Sequence, residues 1–322
     1  MMIGNMNIRD DRQFKALTGI SFDEFQQLLP VFTESYHELI QERYEFQQDL
    51  RQREPGGGQK GKLPSMELKL FFILYYWKVY PTFDVLGLQF GLDRSKACTN
   101  VHSLWPVLER NLDKLGVLPA RKFCCVEELR VAFGDVYDIF IDATERPHCR
   151  PKDQDEQQKK YSGKKKRHTV KNTVISTFSS WILFLGYTVA GSIHDYTLFK
   201  QEFPVDGSKK EAIKWFEDFA IWLDLGYQGV QNLYKADEIN IPHKKPRKSI
   251  NNPSPSLTQE QKGKNRIISQ MRVVVEHAIG GFKRFNILVQ RFRNHLDGFV
   301  DIAVLLAAGL WNWKLKCQGV TY

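Results

Sequence analysis

The sequence predicts an α/β fold preceded by an all-helical region, and three observations predict it. Up to about residue 120, apolar residues recur at helical intervals with no strand-like run. From Val136 onward, short runs rich in β-branched and aromatic residues appear, and two of them close on aspartates, Asp142 and Asp224. Helical patterns lie between and after these runs, the alternation of a mixed sheet flanked by helices. The 322 residues exceed one typical domain, so a helical region over 1–120 and an α/β domain over 121–322 are expected.

In the first region, Ser21-Phe22-Asp23-Glu24 has the capping-box pattern, and Phe25, Leu28, Leu29 and Phe32 follow at helical spacing. Glu34 to Arg53 reads as a second helix, and Pro55-Gly56-Gly57-Gly58 breaks the chain. Three helices are then drawn: Ser65 to Val79, Thr82 to Phe90, and Arg94 to Leu115 with Asp93 as its cap. A short middle helix, a Gly91-Leu92-Asp93 turn and a polar helix start are the parts of a helix-turn-helix, which would turn Arg94, Ser95, Lys96 and Asn100 toward a DNA groove. Three helices packed without DNA would read similarly. Leu70, Ile73, Leu74, Leu86, Val101, Leu104 and Leu108 are core under both readings.

In the second region, Val136 to Asp142 reads as a strand, and Thr169 to Phe178 with Trp181 to Ala190 as a hairpin turning at Ser179-Ser180. The cations before that hairpin, Lys164, Lys165, Lys166 and Arg167 among them, run directly into a strand, so they are held beside the sheet. Gly191 to Asp195 is a polar loop, Tyr196 to Phe203 and Ser208 to Asp218 look helical, and Phe219 to Leu223 is a buried strand ending at Asp224. Ile239 to Ile241 is a short last strand. The stretch 242–264, with Lys244 and Lys245, is a basic surface loop. A helix through Glu276 follows, and an apolar helix, Phe299 to Lys316, most simply packs against the sheet.

The formal net charge of +9 and pI near 9.2 indicate an anionic partner, nucleic acid first. No apolar span is long enough for a bilayer, which argues against a membrane protein. Five cysteines without Cys-x-x-Cys spacing fit reduced thiols inside a cell better than disulfides or zinc, with Cys124 and Cys125 in or near the core. A cytoplasmic, nucleoid-associated location is therefore expected.

Asp142, Asp224 and Glu276 carry the chemistry. Side chains at strand ends of an α/β sheet emerge into a crevice, and carboxylates meeting there repel unless a cation neutralises them. Hard oxygen ligands suit Mg²⁺ or Mn²⁺, and a pair of such ions about 4 Å apart can clamp both oxygens of a phosphodiester displacement. Blander readings exist for each residue. Asp142 could cap a turn, Asp224 could form an Asx-turn before Gly226, and Glu276 could belong to a surface ladder with Arg272 and Lys283, which share its helical face.

Together, Ile141-Asp142-Ala143-Thr144-Glu145, Gly191-Ser192-Ile193-His194-Asp195, Asp224-Leu225-Gly226-Tyr227-Gln228-Gly229 and Arg272 to Lys283 resemble, in order, the motifs of DDE transposases of the bacterial insertion-sequence class related to Harbinger elements. The resemblance implies an RNase H-like catalytic domain behind a helix-turn-helix. It implies metal ligation by Asp142, Asp224 and Glu276 with two Mg²⁺ or Mn²⁺ ions, and contacts from Arg272 and Lys283 to transposon-end DNA. It further implies strand cleavage and strand transfer at terminal inverted repeats, double-stranded DNA as partner at both ends and target, and a homodimer or larger assembly. His194 and Asp195 are read as loop-structuring residues beside the ligands, although Asp195 also follows a strand, and its reaching a metal is the alternative; the strand count gives the second aspartate as Asp224. The family pattern often places Tyr three residues before the Arg, where this chain has Ser269. A domesticated DNA-binding protein and a structure-selective nuclease of the same fold are the alternatives.

Overall fold

The computed structural model describes residues 2–4, 6–46, 61–205, 214–249 and 253–320. The break expected at Pro55 to Gly58, part of the helix expected from Ser208, and Asn251 and Asn252 of the basic loop lie outside the described residues. Two compact units result: Met1–Leu118 with Phe282–Phe292 and Leu296–Gly319, and Pro119–Gly281 with two short C-terminal pieces.

The first unit is helical apart from a small hairpin, β1 (Met2–Ile3) with β2 (Met6–Asn7). Its helices are α1 (Asp11–Thr18), α2 (Phe22–Phe46), α3 (Met66–Val79), α4 (Phe83–Phe90), α5 (Arg94–Lys114), α10 (Asn286–Val289) and α11 (Phe299–Cys317). The capping box at Ser21 is formed: Glu24 N–H donates to Ser21 Oγ and Ser21 N–H to Glu24 Oε2. The two helices expected across Glu34 are one, because the buried stripe of Leu28, Phe32 and Ser35 carries the helix through Pro30. All seven core residues named for this region are buried.

The apolar α11 was expected on the sheet and instead belongs to this helical unit. Its polar groups explain the placement. Trp77 Nε1 donates to Ala303 O, Asn312 Nδ2 to Val117 O and Trp313 Nε1 to Glu24 O, so buried hydrogen bonds hold the helix to α3, to the segment after α5 and to α2.

The second unit is built on a mixed sheet. Its strands are β3 (Asp138–Pro147), β4 (Tyr161–Ser162), β5 (Arg167–Thr177), β6 (Ile182–Leu185), β7 (Val189–Ala190), β8 (Phe216–Trp222) and β9 (Ala236–Asn240). The order is β4-β5-β3-β8-β9, with β6 and β7 also paired to β5. β3 runs antiparallel to β5 and parallel to β8, and β8 runs parallel to β9. An antiparallel hairpin continued by parallel strands and flanked by helices is the RNase H-like arrangement. The helices are α6 (Val126–Phe133), α7 (Gln154–Lys160), α8 (Asp195–Glu202) and α9 (Gln259–Phe282).

Several boundaries differ from the expected ones. β3 does not stop at Asp142 but continues to Pro147, because β5 pairs with it as far as Thr169. β8 begins at Phe216, which pairs with Ala236, so the end of the helix expected through Asp218 is strand. The stretch after Asp224 forms two 3-10 turns, Leu225–Tyr227 and Val230–Asn232, where a helix was expected. α9 starts at Gln259 within the expected basic loop. Cys124 is exposed and Cys125 half-buried, so neither is core.

The α4–α5 turn depends on one glycine. A Cβ on Gly87 would stand 2.5 Å from the carbonyl oxygen of Leu92, a rigid backbone atom, while Gly91 closes α4 at φ 65°. Gly87→Ala is therefore expected to push the turn apart and cost about 1–3 kcal/mol, the usual range for overpacking. A lowered urea midpoint with a less helical spectrum would bear this out; an unchanged midpoint would show that the turn relaxes freely.

Candidate active site

Register alone brings two of the acidic residues together. In the parallel pair, Asp138 lies opposite Ala220 and Phe140 opposite Trp222. Continuing two residues along both chains puts Asp142 opposite Asp224, and the twofold period of a strand keeps each on the same face as the aromatic before it. That face is covered by α9: Phe140 and Trp222 stack with ring centres 5.9 Å apart, and Ile268 and Val275 complete the cluster. Trp222 Nε1 donates to Asp138 Oδ1 at 2.8 Å, which fixes the indole.

Arg272 flanks this apolar stripe of α9 and reaches both aspartates. Its guanidinium lies 3.1 Å from Asp224 Oδ1 and 3.8 Å from Asp142 Oδ2. Its side chain is 15% exposed, and its Nε is buried with no hydrogen-bond partner. Arg272, expected as a DNA contact, is here the cation shared by two carboxylates. Asp224 also caps its 3-10 turn, its Oδ1 accepting from Leu225 N–H. The Asx-turn reading and the site reading thus hold for one residue at once.

Burial pushes the Asp142 carboxyl up to about 6, with Asp224 and Asp195 adding to the rise, while Ala143 N–H and Arg272 pull it down. Two negative groups therefore compete for one partly desolvated crevice. Glu276 follows Arg272 by one helical turn and is exposed. Among the described residues no group of three or more His, Cys, Asp and Glu side chains is gathered closely enough to hold a metal. Asp142 and Asp224 are brought together; Glu276 is not. Lys283 stands beyond the end of α9, in the first unit, so no single helical face carries all three of Arg272, Glu276 and Lys283.

A second charged group adjoins the first and was missed in the sequence. Lys171 lies in β5 opposite Glu145 of β3, with its side chain only 5% exposed. Its ammonium donates to Asp195 Oδ1 at 2.6 Å and to Ile193 O at 2.8 Å, and lies 3.5 Å from Glu145. Lys171 reads in the sequence as the last cation of the basic run held beside the sheet, with no partner assigned to it. The signal that separates it from the others is its place within the β-branched stretch of Thr169 to Phe178, where alternate side chains must enter the core. His194 caps α8 through Nδ1, and Asp195 opens that helix, so both structure this loop. A Cβ on Gly226 would lie 3.8 Å from Asp195 Oδ2, which places Asp195 beside the turn that follows Asp224.

The proposed DNA contacts are dispersed over exposed surfaces. Lys164, Lys165 and Lys166 are exposed in the tight turn between β4 and β5, where Lys166 takes φ 53°, and Arg167 is exposed at the start of β5. Lys244 and Lys245 are exposed beyond β9. In the first unit, Asp93 caps α5 by accepting from Lys96 N–H, and Arg94, Ser95 and Lys96 are exposed in the first turn. Cations at a helix N-terminus are disfavoured by the helix dipole, so a bound anion would relieve the arrangement. Asn100 is half-buried and donates to Lys96 O.

The fold, with Asp142 inside β3 beside Asp224 just past the end of β8, defines an RNase H-like domain behind a helix-turn-helix, and comparison with known proteins identifies the family. Residues 141–312 match the DDE superfamily endonuclease family, residues 61–114 match the helix-turn-helix of DDE superfamily endonucleases, and the chain belongs to this family. It is 31% identical over 310 residues, covering 95% of this chain and 96% of the relative, to a probable transposase for insertion sequence element IS702 from Microchaete diplosiphon. No solved structure matches. No helix among the described residues is long and apolar enough to cross a membrane. Family membership implies use of a divalent metal. The chemistry of the donors fits one, since Asp142 and Asp224 are hard oxygen donors that already converge on a positive charge.

Two outcomes test this geometry. Removing the Lys171 charge leaves Glu145 and Asp195 without their shared buried cation, so Lys171→Met is expected to cost about 3–5 kcal/mol in chemical denaturation; a loss under 1 kcal/mol would mean the network is not desolvated in solution. The second concerns pH. The Asp142 carboxyl is raised above its unfolded value of 3.8, so folding carries no penalty from it below about pH 4. That penalty accumulates as pH rises to about 6 and stands in full above. In metal-free buffer Asp142→Asn is expected to gain up to about 3 kcal/mol over wild type at pH 7–8 and nothing below about pH 4. Melting curves across that range check it, and a pH-independent difference would contradict it.

Proposed function

We propose that the chain is a transposase that cuts DNA at the terminal repeats of an insertion sequence and joins the freed end to target DNA. The observation that carries this reading is the pair of aspartates on neighbouring parallel strands, converging on one cation within a DDE endonuclease family member. The 1–120 region would bind the element's ends through the exposed first turn of α5, and the 121–322 region would do the chemistry.

Asp142 and Asp224 would hold the Mg²⁺ or Mn²⁺ ions, two per site, and Glu276 would join them by a movement of its exposed side chain. When bound, the metal would activate a hydroxyl nucleophile and stabilise the charge that develops on the phosphate. The chain's own part is positional. The sheet holds the carboxylates in register, and the Lys171 network holds the Asp195 loop against β3 and β5. Lys164 to Arg167, Lys244 and Lys245 would grip the DNA backbone, a contact that weakens steeply with salt. Arg272 and Lys283 would contact the transposon end. Two ends must be cut in concert, so a homodimer or larger assembly on DNA is proposed.

A second reading, a DNA-binding protein of this fold that does not cut, draws on Glu276 being exposed and, among the described residues, completing no group of three with the two aspartates. End-cleavage assays separate the two. Labelled duplexes carrying the repeats that flank the gene are expected to be nicked in Mg²⁺ and left whole with chelator. Asp224→Asn and Glu276→Gln should abolish nicking while retaining binding. Cleavage that persists in Asp224→Asn would remove Asp224 from the site, and binding without any cleavage by the unaltered protein would favour the second reading.

A further inference from the structure

The inward stripe of α8 is acidic at both ends, and only one end is neutralised. Asp195, Leu198, Phe199 and Glu202 stand at i, i+3, i+4 and i+7, so they share one face of the helix, and Leu198 and Phe199 are buried on it. At the first end, Asp195 meets the buried ammonium of Lys171 at 2.6 Å. At the other, both carboxyl oxygens of Glu202 are buried without a hydrogen-bond partner, and so is the neighbouring Thr173 Oγ1. Lys171 and Thr173 are two residues apart in β5 and face the same side of the sheet, so one strand receives both ends of the helix. We propose that Glu202 is a positioning residue, which in its protonated form seats the end of α8 on β5 and so holds Asp195 beside the turn that follows Asp224.

The surroundings of Glu202 favour a neutral acid. An ionised carboxyl there would be a buried negative charge in the last turn of a helix, where the helix dipole also opposes it. A protonated one can donate to the Thr173 hydroxyl as well as accept from it. Burial pushes the Glu202 carboxyl up to about 7, against the pull of Thr173 and Arg121. The other charged and titratable groups nearby do not neutralise it. Arg121, from the segment before α6, also packs on the Tyr187 ring at 4.7 Å; Lys171 is taken by Asp195 and Glu145; Lys200, on α8 itself, lies over the Tyr196 ring; and Tyr227, from the first 3-10 turn, is a buried phenol raised partly by Glu202.

The seat is shaped for this side chain. A Cβ on Gly186 would overlap Glu202 Oε1, so a side chain at that position would displace the carboxyl. The wall itself is fixed, because Asn172 Nδ2 donates to Gly186 O at 2.8 Å. Raising the pH therefore gives the carboxyl a reason to leave and nothing to move toward inside. Its departure frees the last turn of α8 and leaves the helix held by Asp195 and Lys171. Asp195 lies beside Gly226 and adds to the rise of the Asp142 carboxyl, so a helix pivoting at that end reaches the catalytic edge.

The size of the effect follows from linkage. Below about pH 4 the carboxyl is protonated whether seated or released, and the seat is strongest. It weakens as pH rises to about 7 and stays weak above. A carboxyl at its ordinary 4.5 when released and at about 7 when seated makes release about tenfold easier at about pH 8 than at about pH 6.

The positioning role rests on the proposed cleavage, and the test keeps the two apart. Hydrogen–deuterium exchange of the full chain in metal-free buffer is followed on the peptide spanning 195–203 at both pH values, each rate divided by the intrinsic rate at that pH. Glu202→Gln keeps the side chain's shape and stays neutral, whereas Gly186→Ala pushes the carboxyl out. The expected result is an exchange rate that rises about tenfold with pH in wild type, does not rise in Glu202→Gln, and is already high at the lower pH in Gly186→Ala. A rise shared by Glu202→Gln, or unaltered exchange in Gly186→Ala, would overturn the seat. Nicking of labelled terminal-repeat duplexes in Mg²⁺ is the second arm: the rate of Glu202→Gln relative to wild type is expected to climb several-fold over the same pH range, and a flat ratio would remove the positioning role. If the unaltered protein never nicks the repeats, the cleavage reading and the positioning role fall together, while the exchange result still decides whether Glu202 seats α8.

Discussion

The second unit depends on one electrostatic constraint: two carboxylates that strand register forces side by side must be given a positive charge. Like charges about 5 Å apart at an effective dielectric of 20 repel by on the order of 3 kcal/mol. The sheet cannot relieve this by moving one strand. Slipping β8 by one residue would turn Trp222 and Ala220 to the wrong face and empty the cluster under α9. Apolar packing therefore fixes the acidic pair, and α9 supplies the answer in Arg272, whose guanidinium lies beside both. Burial of the site and the charge within it arise from the same helix.

That helix shows how one sequence pattern carries two tasks. Ile268, Met271, Val275 and Ile279 repeat at helical spacing and belong to the cluster around Phe140 and Trp222. Arg272 lies at the edge of this stripe and turns inward; Glu276, a further turn along, lies outside it and stays in solvent. A helix packed tightly by its apolar residues can present a carboxylate near the site without burying it in the absence of a cation.

Much of this was legible in the sequence because it follows from periodicity. The capping box at Ser21, the three helices from Met66 to Lys114 and their core were readable, as the apolar spacing leaves little choice. Asp142 and Asp224 were readable as a pair through their flanking motifs. What escaped was set by long-range pairing. The extension of β3 beyond Asp142 comes from its ladder with β5, and the placement of α11 comes from partners such as Glu24 and Val117 that are remote in sequence. Neither leaves a local trace. The start of β8 at Phe216, set by its pairing with Ala236, escaped for the same reason.

The basic surplus of +9 is likewise not one feature but three, separated by solvation. Lys171 and Arg272 are withdrawn from water and committed to carboxylates, so they set geometry and contribute little to any field outside the protein. Lys114 and Arg110 pair with Glu34, Glu38 and Glu42 of α2 and belong to the surface of the helical unit. Among the exposed cations that remain for an anionic partner are Lys164 to Arg167 at the β4–β5 turn and the start of β5, Lys244 and Lys245 after β9, and Arg94 with Lys96 at the start of α5. These positions are exposed, and the pairs that Arg94 makes with Asp84 at 4.0 Å and Lys96 with Asp93 at 3.3 Å lie in solvent, where a phosphate can replace them. A polyanion with regularly spaced charges can engage such separate points at once, where a small anion could satisfy only one, and this distribution is the physical argument for DNA over any single phosphorylated ligand.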